Sequence, residues 1–303
     1  MTSKRFKFLS TDEFNKLSQR EKVSYLSRAA AALGKTLGMG AVQRFEPERP
    51  AASPGTLGAV LYADPSKATI SEQDWVDLVQ SAAAGNQLAL YRLYERTHRI
   101  VFTLIMRIVG DRQTAEDLTL GVYQDIWRHA LRFDAEDDTV LGWIMNFARS
   151  IAMDQLRLAP RSDRAQPRAK DLRPAASLQR RLARSIAAET GREPVLPTAT
   201  APQWSEPEWE NVAPGISCKL LATDTRKHRI SMLVRLVPGG EYPPHTHAGR
   251  EELHLLEGEL WIDDRKLYPG DYNRAEVGTG DKRVWSETGC SCVLITSTKD
   301  MLS

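Results

Sequence analysis

Within Gly239-Gly-Glu-Tyr-Pro-Pro-His245-Thr-His247-Ala-Gly-Arg-Glu251, two histidines stand two residues apart and a glutamate follows four residues later. In a β-strand, residues i and i+2 project on one face. His245 and His247 would then offer adjacent imidazoles, and Glu251 can add a carboxylate to the same set. Such nitrogen and oxygen donors suit Zn, Fe, Mn or Ni. The competing reading is a pair of surface histidines that hold nothing. Downstream, Cys290 and Cys292 alternate on an expected strand and share a face. They are read either as redox-active or soft ligands, or as small buried hydrophobes. His254 is expected to be structural.

The elements that would position these donors are short. From Trp204 onward, ISMLVRLVP, EELHLLEGELWID and SCVLITST are β-rich runs separated by Pro-Gly, Gly-Gly, Pro-Gly-Asp and Thr-Gly turns. That spacing predicts an all-β barrel or jelly roll over 204–303. Residues 70–158 read differently. No proline occurs from Ser71 to Arg157, and apolar residues recur at helical spacing: Trp75, Leu78, Val79 and Ala82, then Leu90, Tyr94, Val101, Leu104 and Ile108. Gly85-Asn86 and Gly110-Asp111 mark turns, a third helix is expected over about 112–131, and a fourth runs from Trp143 to Leu158. The segment 1–69 holds an amphipathic helix over 10–33, with Ser10 and Glu13 as a capping box, and then a Pro- and Gly-rich linker. Residues 159–203 form a second, basic, Pro-rich linker in which 175–189 is suited to one amphipathic helix. The expected fold class is multidomain α plus β.

Composition bounds the function classes. A chain of 303 residues with 42% hydrophobic content suggests two or three domains. No apolar run reaches the roughly 18 residues of a membrane span, so no membrane partner is expected. The N-terminus lacks a secretory apolar core, and three cysteines exclude a disulfide-stapled scaffold. A cytoplasmic protein is the expectation. The net charge of +2 hides an alternation: residues 1–60 carry ten Lys/Arg against five Asp/Glu and 161–200 nine against four, whereas 70–160 carry nine against thirteen and 201–303 twelve against sixteen. The basic linker could therefore lie along phosphate or an acidic protein surface.

The helical segment resembles a known family. Gly110-Asp-Arg-Gln-Thr-Ala-Glu-Asp-Leu118, Val122-Tyr-Gln-Asp-Ile-Trp127, Phe133-Asp134 and Trp143-Ile-Met-Asn-Phe-Ala-Arg149-Ser-Ile-Ala-Met-Asp154-Gln-Leu-Arg157 together are similar to region 2 of the extracytoplasmic-function sigma factors, over about 72–158. The resemblance implies that the helix Ala115–Trp127 docks on RNA polymerase core through Glu116, Asp117, Gln124 and Trp127. It also implies that Trp143–Arg157 melts the promoter −10 element, with Trp143, Arg149, Ser150, Asp154 and Arg157 as DNA contacts. Arginines can contact phosphate and aromatics can stack on unpaired bases. Trp127 and Trp143 are equally open to a core role, and Asp154 to a surface one. Leu120-Gly121 replaces the family's usual Gln-acid pair, and the mid-helix glycine costs about 1 kcal/mol in propensity. Ser150 replaces the usual Asn. No helix-turn-helix region 4 is legible in 159–200.

The run Gly239–Gly258 fits the first cupin motif: Gly, five residues, His-x-His, three residues, Glu, six residues, Gly. Leu267-Tyr-Pro-Gly270-Asp271 fits the turn of the second motif, whose metal-binding His should fall near 278–285. Asp281 stands closest. The sequence around Cys290 and Cys292 resembles the zinc-binding cupin half of ChrR-type anti-sigma factors. The resemblance implies a divalent metal, zinc foremost, on His245, His247, Glu251 and Asp281, or on three of them with an open position. The leading expectation is a transcription regulator, not an enzyme. In it a sigma-like module is controlled by a metal-binding cupin that answers an oxidative or metal signal. Alternatives are a non-initiating decoy or anti-sigma-type protein that binds another sigma or anti-sigma factor, and a cupin dioxygenase or isomerase.

Overall fold

The computed structural model describes residues 71–158, 172–196 and 204–302. The expected helix 10–33, the linker of residues 1–69, and the parts of the 159–203 linker at 159–171 and 197–203 lie outside the described residues.

Helix α1 (Glu72–Ala83) begins where the Ser71 hydroxyl accepts from the Gln73 amide at 3.0 Å. Asn86 caps α2 (Gln87–Val109) the same way, its amide oxygen accepting from Leu88 N and Ala89 N. Asp111 caps α3 (Arg112–His129) through Thr114 N at 2.8 Å. A 3-10 turn at Ala130–Arg132 follows. Helix α4 (Val140–Leu158) starts three residues earlier than the sequence suggested. The reason is that Thr139 Oγ1 accepts from Gly142 N and the buried Glu72 carboxylate accepts from Val140 N at 2.6 Å. Trp75, Leu93, Phe102, Leu104, Ile126, Leu141 and Ile144 form a continuous core across these helices. Helix α5 (Leu178–Thr190) lies within the expected linker, yet it buries Leu178, Leu182 and Ile186 against the bundle.

The β region has strands β1 (Glu210–Ala213), β2 (Ile216–Asp224), β3 (Arg229–Leu236), β4 (Glu241–Tyr242), β5 (His245–Thr246), β6 (Glu251–Gly258), β7 (Leu260–Ile262), β8 (Arg265–Leu267), β9 (Tyr272–Ala275), β10 (Gly280–Asp281), β11 (Val284–Trp285), β12 (Cys290–Ser297) and β13 (Met301–Leu302). They form a six-stranded sheet in the order β1-β2-β3-β12-β6-β9, a four-stranded sheet β4-β11-β7-β8 and a small sheet β10-β5-β13. The strand pairs are antiparallel. Gly258, with φ +73°, sits where an added Cβ would lie 1.9 Å from the Gly289 carbonyl oxygen, so the β6–β7 turn requires glycine.

The central strands of the six-stranded sheet are covered on both faces. Its inner face packs Ile230, Met232, Val234, Leu253, Leu255, Cys292 and Leu294 into the barrel. Its outer face contributes Leu221, Leu233, Leu256, Val293 and Ile295 to the helical core. All eight residues of β12 are consequently buried, the near-continuous burial of a strand covered on both sides. The helices and the barrel share one compact unit.

Candidate metal centre and helical faces

His245 lies on β5, opposite Asp281 of β10 in the small sheet, and Glu251 opens β6. The Nε2 of His245 is 3.8 Å from Glu251 Oε2, and the Nε2 of His247 is 3.8 Å from both Glu251 Oε1 and Asp281 Oδ2. One donor atom from each of the four residues lies within 4.8 Å of the others. A tetrahedral zinc ion with bonds near 2.1 Å has donor–donor edges of about 3.4 Å, so the quartet sits slightly wider than a loaded site. The Nδ1 of His245 donates to the Pro243 carbonyl at 3.0 Å, and the Nδ1 of His247 to the Thr279 carbonyl at 3.0 Å. These bonds place the protons on Nδ1 and turn both Nε2 lone pairs inward, the orientation a second shell gives to ligating imidazoles. His245 Nε2, His247 Nε2 and Asp281 Oδ2 are buried and make no hydrogen bond. Buried polar atoms are normally paired, and three unpartnered donors converging beside the Glu251 carboxylate are the arrangement a cation satisfies. The residues fit a metal.

The four groups also set one another's charge. Burial opposes ionisation of Glu251, but the two imidazoles outweigh it and hold its carboxyl down to about 2. The same pairing raises His245 and His247 against the opposing effect of burial. Asp281 is pushed up, by burial first and by Glu251 second. Thr296 donates to Glu251 Oε2 at 2.9 Å and also bonds the Asp300 carboxylate, whose other oxygen accepts from Ala248 N at 2.7 Å. This Thr296–Asp300 support was not anticipated from the sequence, since it depends on the β5–β6 loop closing over the end of β12.

Cys290 and Cys292 do face the same side, into the barrel core. Burial pushes the Cys290 thiol up to about 11 and Cys292 further. Neither joins the four-donor cluster. His254 is fully buried on the opposite face of β6, its ring 4.8 Å from that of Tyr272, and burial lowers it to about 4.

Most of the helical candidate residues lie on two covered faces, and three on α4 remain exposed. On α3, Glu116 accepts from Ala175 N at 3.2 Å and lies 3.7 Å from Arg181, Asp117 accepts from Arg181 at 2.5 Å, and Gln124 donates to Ser185. All three partners lie on α5 or just before it. Trp127 packs half-buried on the bundle core. On α4, Trp143 is half-buried with Phe133 and Phe147, ring centroids 5.2 and 6.5 Å away. Arg149 stacks 5.6 Å over the Tyr272 ring of β9, and Asn146 donates to Glu252 at 2.8 Å. Ser150, Asp154 and Arg157 remain exposed, the last two paired at 3.0 Å. Asn146 was not singled out from the sequence. Its signal was available only in the three-dimensional pairing with β6.

An all-helical module carrying a buried cap network, packed on a cupin barrel with a four-donor centre, defines a regulator-like fusion of two known parts. Residues 93–161 match the family model of Sigma-70 region 2, and residues 198–300 match that of the ChrR Cupin-like domain. The chain thus joins an extracytoplasmic-function type sigma region 2 to a ChrR-type cupin. It is 31% identical over 80 residues to the ECF RNA polymerase sigma factor SigK of Mycobacterium bovis (strain BCG / Pasteur 1173P2) and of Mycobacterium tuberculosis (strain ATCC 25177 / H37Ra), and 30% identical to that of Mycobacterium ulcerans (strain Agy99). Each alignment covers 26% of this chain and 43% of the relative. The chain therefore spans less than half the length of the curated relatives it matches. Among solved structures it is similar to an acetylacetone dioxygenase from Acinetobacter johnsonii (14% identity, TM-score 0.30, covering 34% of this chain and 78% of that one). It is also similar to KdgF from Halomonas sp. (21% identity, TM-score 0.26, covering 30% and 86%). No helix among the described residues is long and apolar enough to cross a membrane.

Proposed function

We propose that this chain is a cytoplasmic transcription regulator in which the cupin, through its metal, controls access to the sigma-like helices. The partners are RNA polymerase core and the single-stranded promoter −10 element, and the metal is zinc. The observation that carries this reading is the alternation of β6. Glu251 points into the barrel as a metal donor, while Glu252 points out and accepts from Asn146 of α4 at 2.8 Å and from Tyr272 at 2.7 Å. Arg229 approaches Glu252 at 3.7 Å. Adjacent residues of one strand thus serve the metal centre and the hold on the helix that matches the promoter-melting segment. In this docked state Asn146 and Arg149 are engaged by the cupin, so DNA binding requires separation of the two faces.

The metal state fits the signal better than direct thiol oxidation does, because Cys290 and Cys292 are buried with raised thiols and thiolate is the reactive form. We further read the centre as regulatory rather than catalytic. Four protein donors suit a closed site, and the apolar interior beside them, lined by Leu253, Leu260, Ile262 and Val284, accommodates only water-sized guests.

The test is binding of the full chain, zinc-loaded and chelated, to RNA polymerase core and to a fluorescent −10 single strand. Tighter binding after chelation is expected. Equal and negligible binding in both states would overturn the reading in favour of a non-initiating module that binds other regulators.

A further inference from the structure

Helix α5 carries two stripes. Leu178, Leu182 and Ile186, four residues apart, are buried against α2 and α3. Beside them Arg181, Ser185 and Glu189, also four apart, form a polar stripe facing α3. Each member has a partner: Arg181 bonds Asp117 and lies 3.7 Å from Glu116, Ser185 accepts from Gln124, and Glu189 takes both Nε and Nη2 of Arg128 at 2.9 Å. Bidentate arginine–carboxylate pairs are among the more specific side-chain contacts. The charges are ordered, with a cation on α5 opposite the acids of the first half of α3 and an acid opposite Arg128 near its end. Reversing either helix would set like charges together. Three of these four α3 groups, Glu116, Asp117 and Gln124, are among the four residues that the sigma resemblance assigns to polymerase, the fourth being Trp127.

We infer that α3 presents one charge-patterned docking surface and that α5 is its resident occupant, which RNA polymerase must displace. The partner this surface fits is a helical one, with a cation opposite Glu116 and Asp117 and, two turns on, an acid opposite Arg128. This rests on the polymerase-binding reading above. Because α5 belongs to the same chain, it competes at an effective concentration on the order of millimolar. A mid-helix Gly121, with nothing within 4 Å of the position a Cβ would take, leaves that stretch of α3 without a side chain of its own.

The experiment uses the full chain with the double substitution R181E/E189R, which places like charges opposite Asp117 and Arg128, and separately with Leu182→Asp, which removes an apolar anchor. Hydrogen exchange over 178–190 reports whether α5 is released, and titration with RNA polymerase core reports affinity. Release should be accompanied by at least roughly tenfold tighter binding to core. Faster exchange in α5 with measurable but unchanged affinity would overturn this inference and leave the polymerase-binding reading intact. Released α5 with no binding to core in any form would overturn that reading, and this inference with it. Unchanged exchange in both variants would also overturn it, since α5 would then not be held by these contacts.

Discussion

Replacing Glu252 with alanine tests whether the cupin grips α4 through this residue. Glu252 is 1% exposed. Burial alone would raise its carboxyl, but Asn146, Tyr272 and Arg229 outweigh it and hold it below the usual range, so it is ionised in the docked state. Glu252→Ala leaves the Asn146 amide and the Tyr272 hydroxyl without their acceptor. It also strands Arg229, whose Nε and Nη2 have no hydrogen bond even now. Removing one member of a buried ionic pair costs about 3–5 kcal/mol, and an unsatisfied buried donor about 1–3 kcal/mol. These contributions overlap, so a net of about 3 kcal/mol is expected, and it falls on the docked state. Amide exchange measured by mass spectrometry should therefore speed up in α4 by about a hundredfold, at about 1.4 kcal/mol per decade. Exchange in β3 and β12 should change less, because their ladder and inner face are untouched. Glu252→Gln keeps an acceptor for Asn146 and Tyr272 and should fall between. Exchange in α4 within twofold of the parent protein, with Glu252→Ala folded, would refute the assignment of this carboxylate as the grip.

Asp281→Ala removes one of four donors and should weaken zinc binding by more than tenfold in a chelator competition, while His247→Ala should abolish stoichiometric zinc by elemental analysis. Glu72 is pushed up from 4.5 to about 7, chiefly by burial, and Asp138 to about 6 for the same reason. The native state then holds protons at these two groups that the unfolded chain has released, so their contribution to stability is greatest below about pH 4.5 and declines as pH rises towards 7. Glu72→Gln keeps an acceptor for Val140 N; its melting temperature should match the parent near pH 5 and exceed it at pH 8, by an amount equivalent to about 2–3 kcal/mol. Identical pH profiles would refute this. The three cysteines, all free and buried, should react with a thiol reagent only on unfolding, and Cys290→Ser with Cys292→Ser should leave zinc stoichiometry unchanged.

Much of this was legible in the sequence because the information was local. Ser71, Asn86 and Asp111 cap helices by bonding amides two or three residues away, and the His-x-His spacing sets two imidazoles on one strand face whatever surrounds it. Asp281 needed the cupin resemblance to be noticed, since it reaches the site through pairing of β10 with β5 across the barrel. What sequence could not convey was the second covered face of the large sheet. In β12, Val293 and Ile295 are as apolar as Leu294, and periodicity cannot separate a strand covered on one side from one covered on both. Likewise Glu251 and Glu252 are identical side chains one residue apart, and only the strand's pleat decides which meets the metal and which meets Asn146. Residues 175–189 were recognisable as amphipathic, but the complementarity of Arg181, Ser185 and Glu189 to Asp117, Gln124 and Arg128 is a long-range match that no local rule contains.

The sharing of β6 by the metal centre and the helix interface carries a quantitative obligation. A metal bound equally well in docked and released states would shift nothing between them, however tight its binding. Control by zinc therefore requires that Glu251, braced by Thr296 and Asp300, be better placed in the docked state, where Glu252 on the same strand is fixed by Asn146, Tyr272 and Arg229. Linkage makes this reciprocal: if loss of zinc tightens polymerase binding by some factor, polymerase binding must loosen zinc by the same factor. Competition with a chromogenic chelator, run with and without saturating core enzyme, measures the second factor independently of the first. Couplings of this kind are typically 5–150-fold, well within reach of such a titration. In Glu252→Ala, where the strand's outer hold is cut, both factors should collapse towards one together. If zinc affinity is unchanged by polymerase while chelation still alters polymerase binding, the two effects do not share an equilibrium, and β6 is not the link between them.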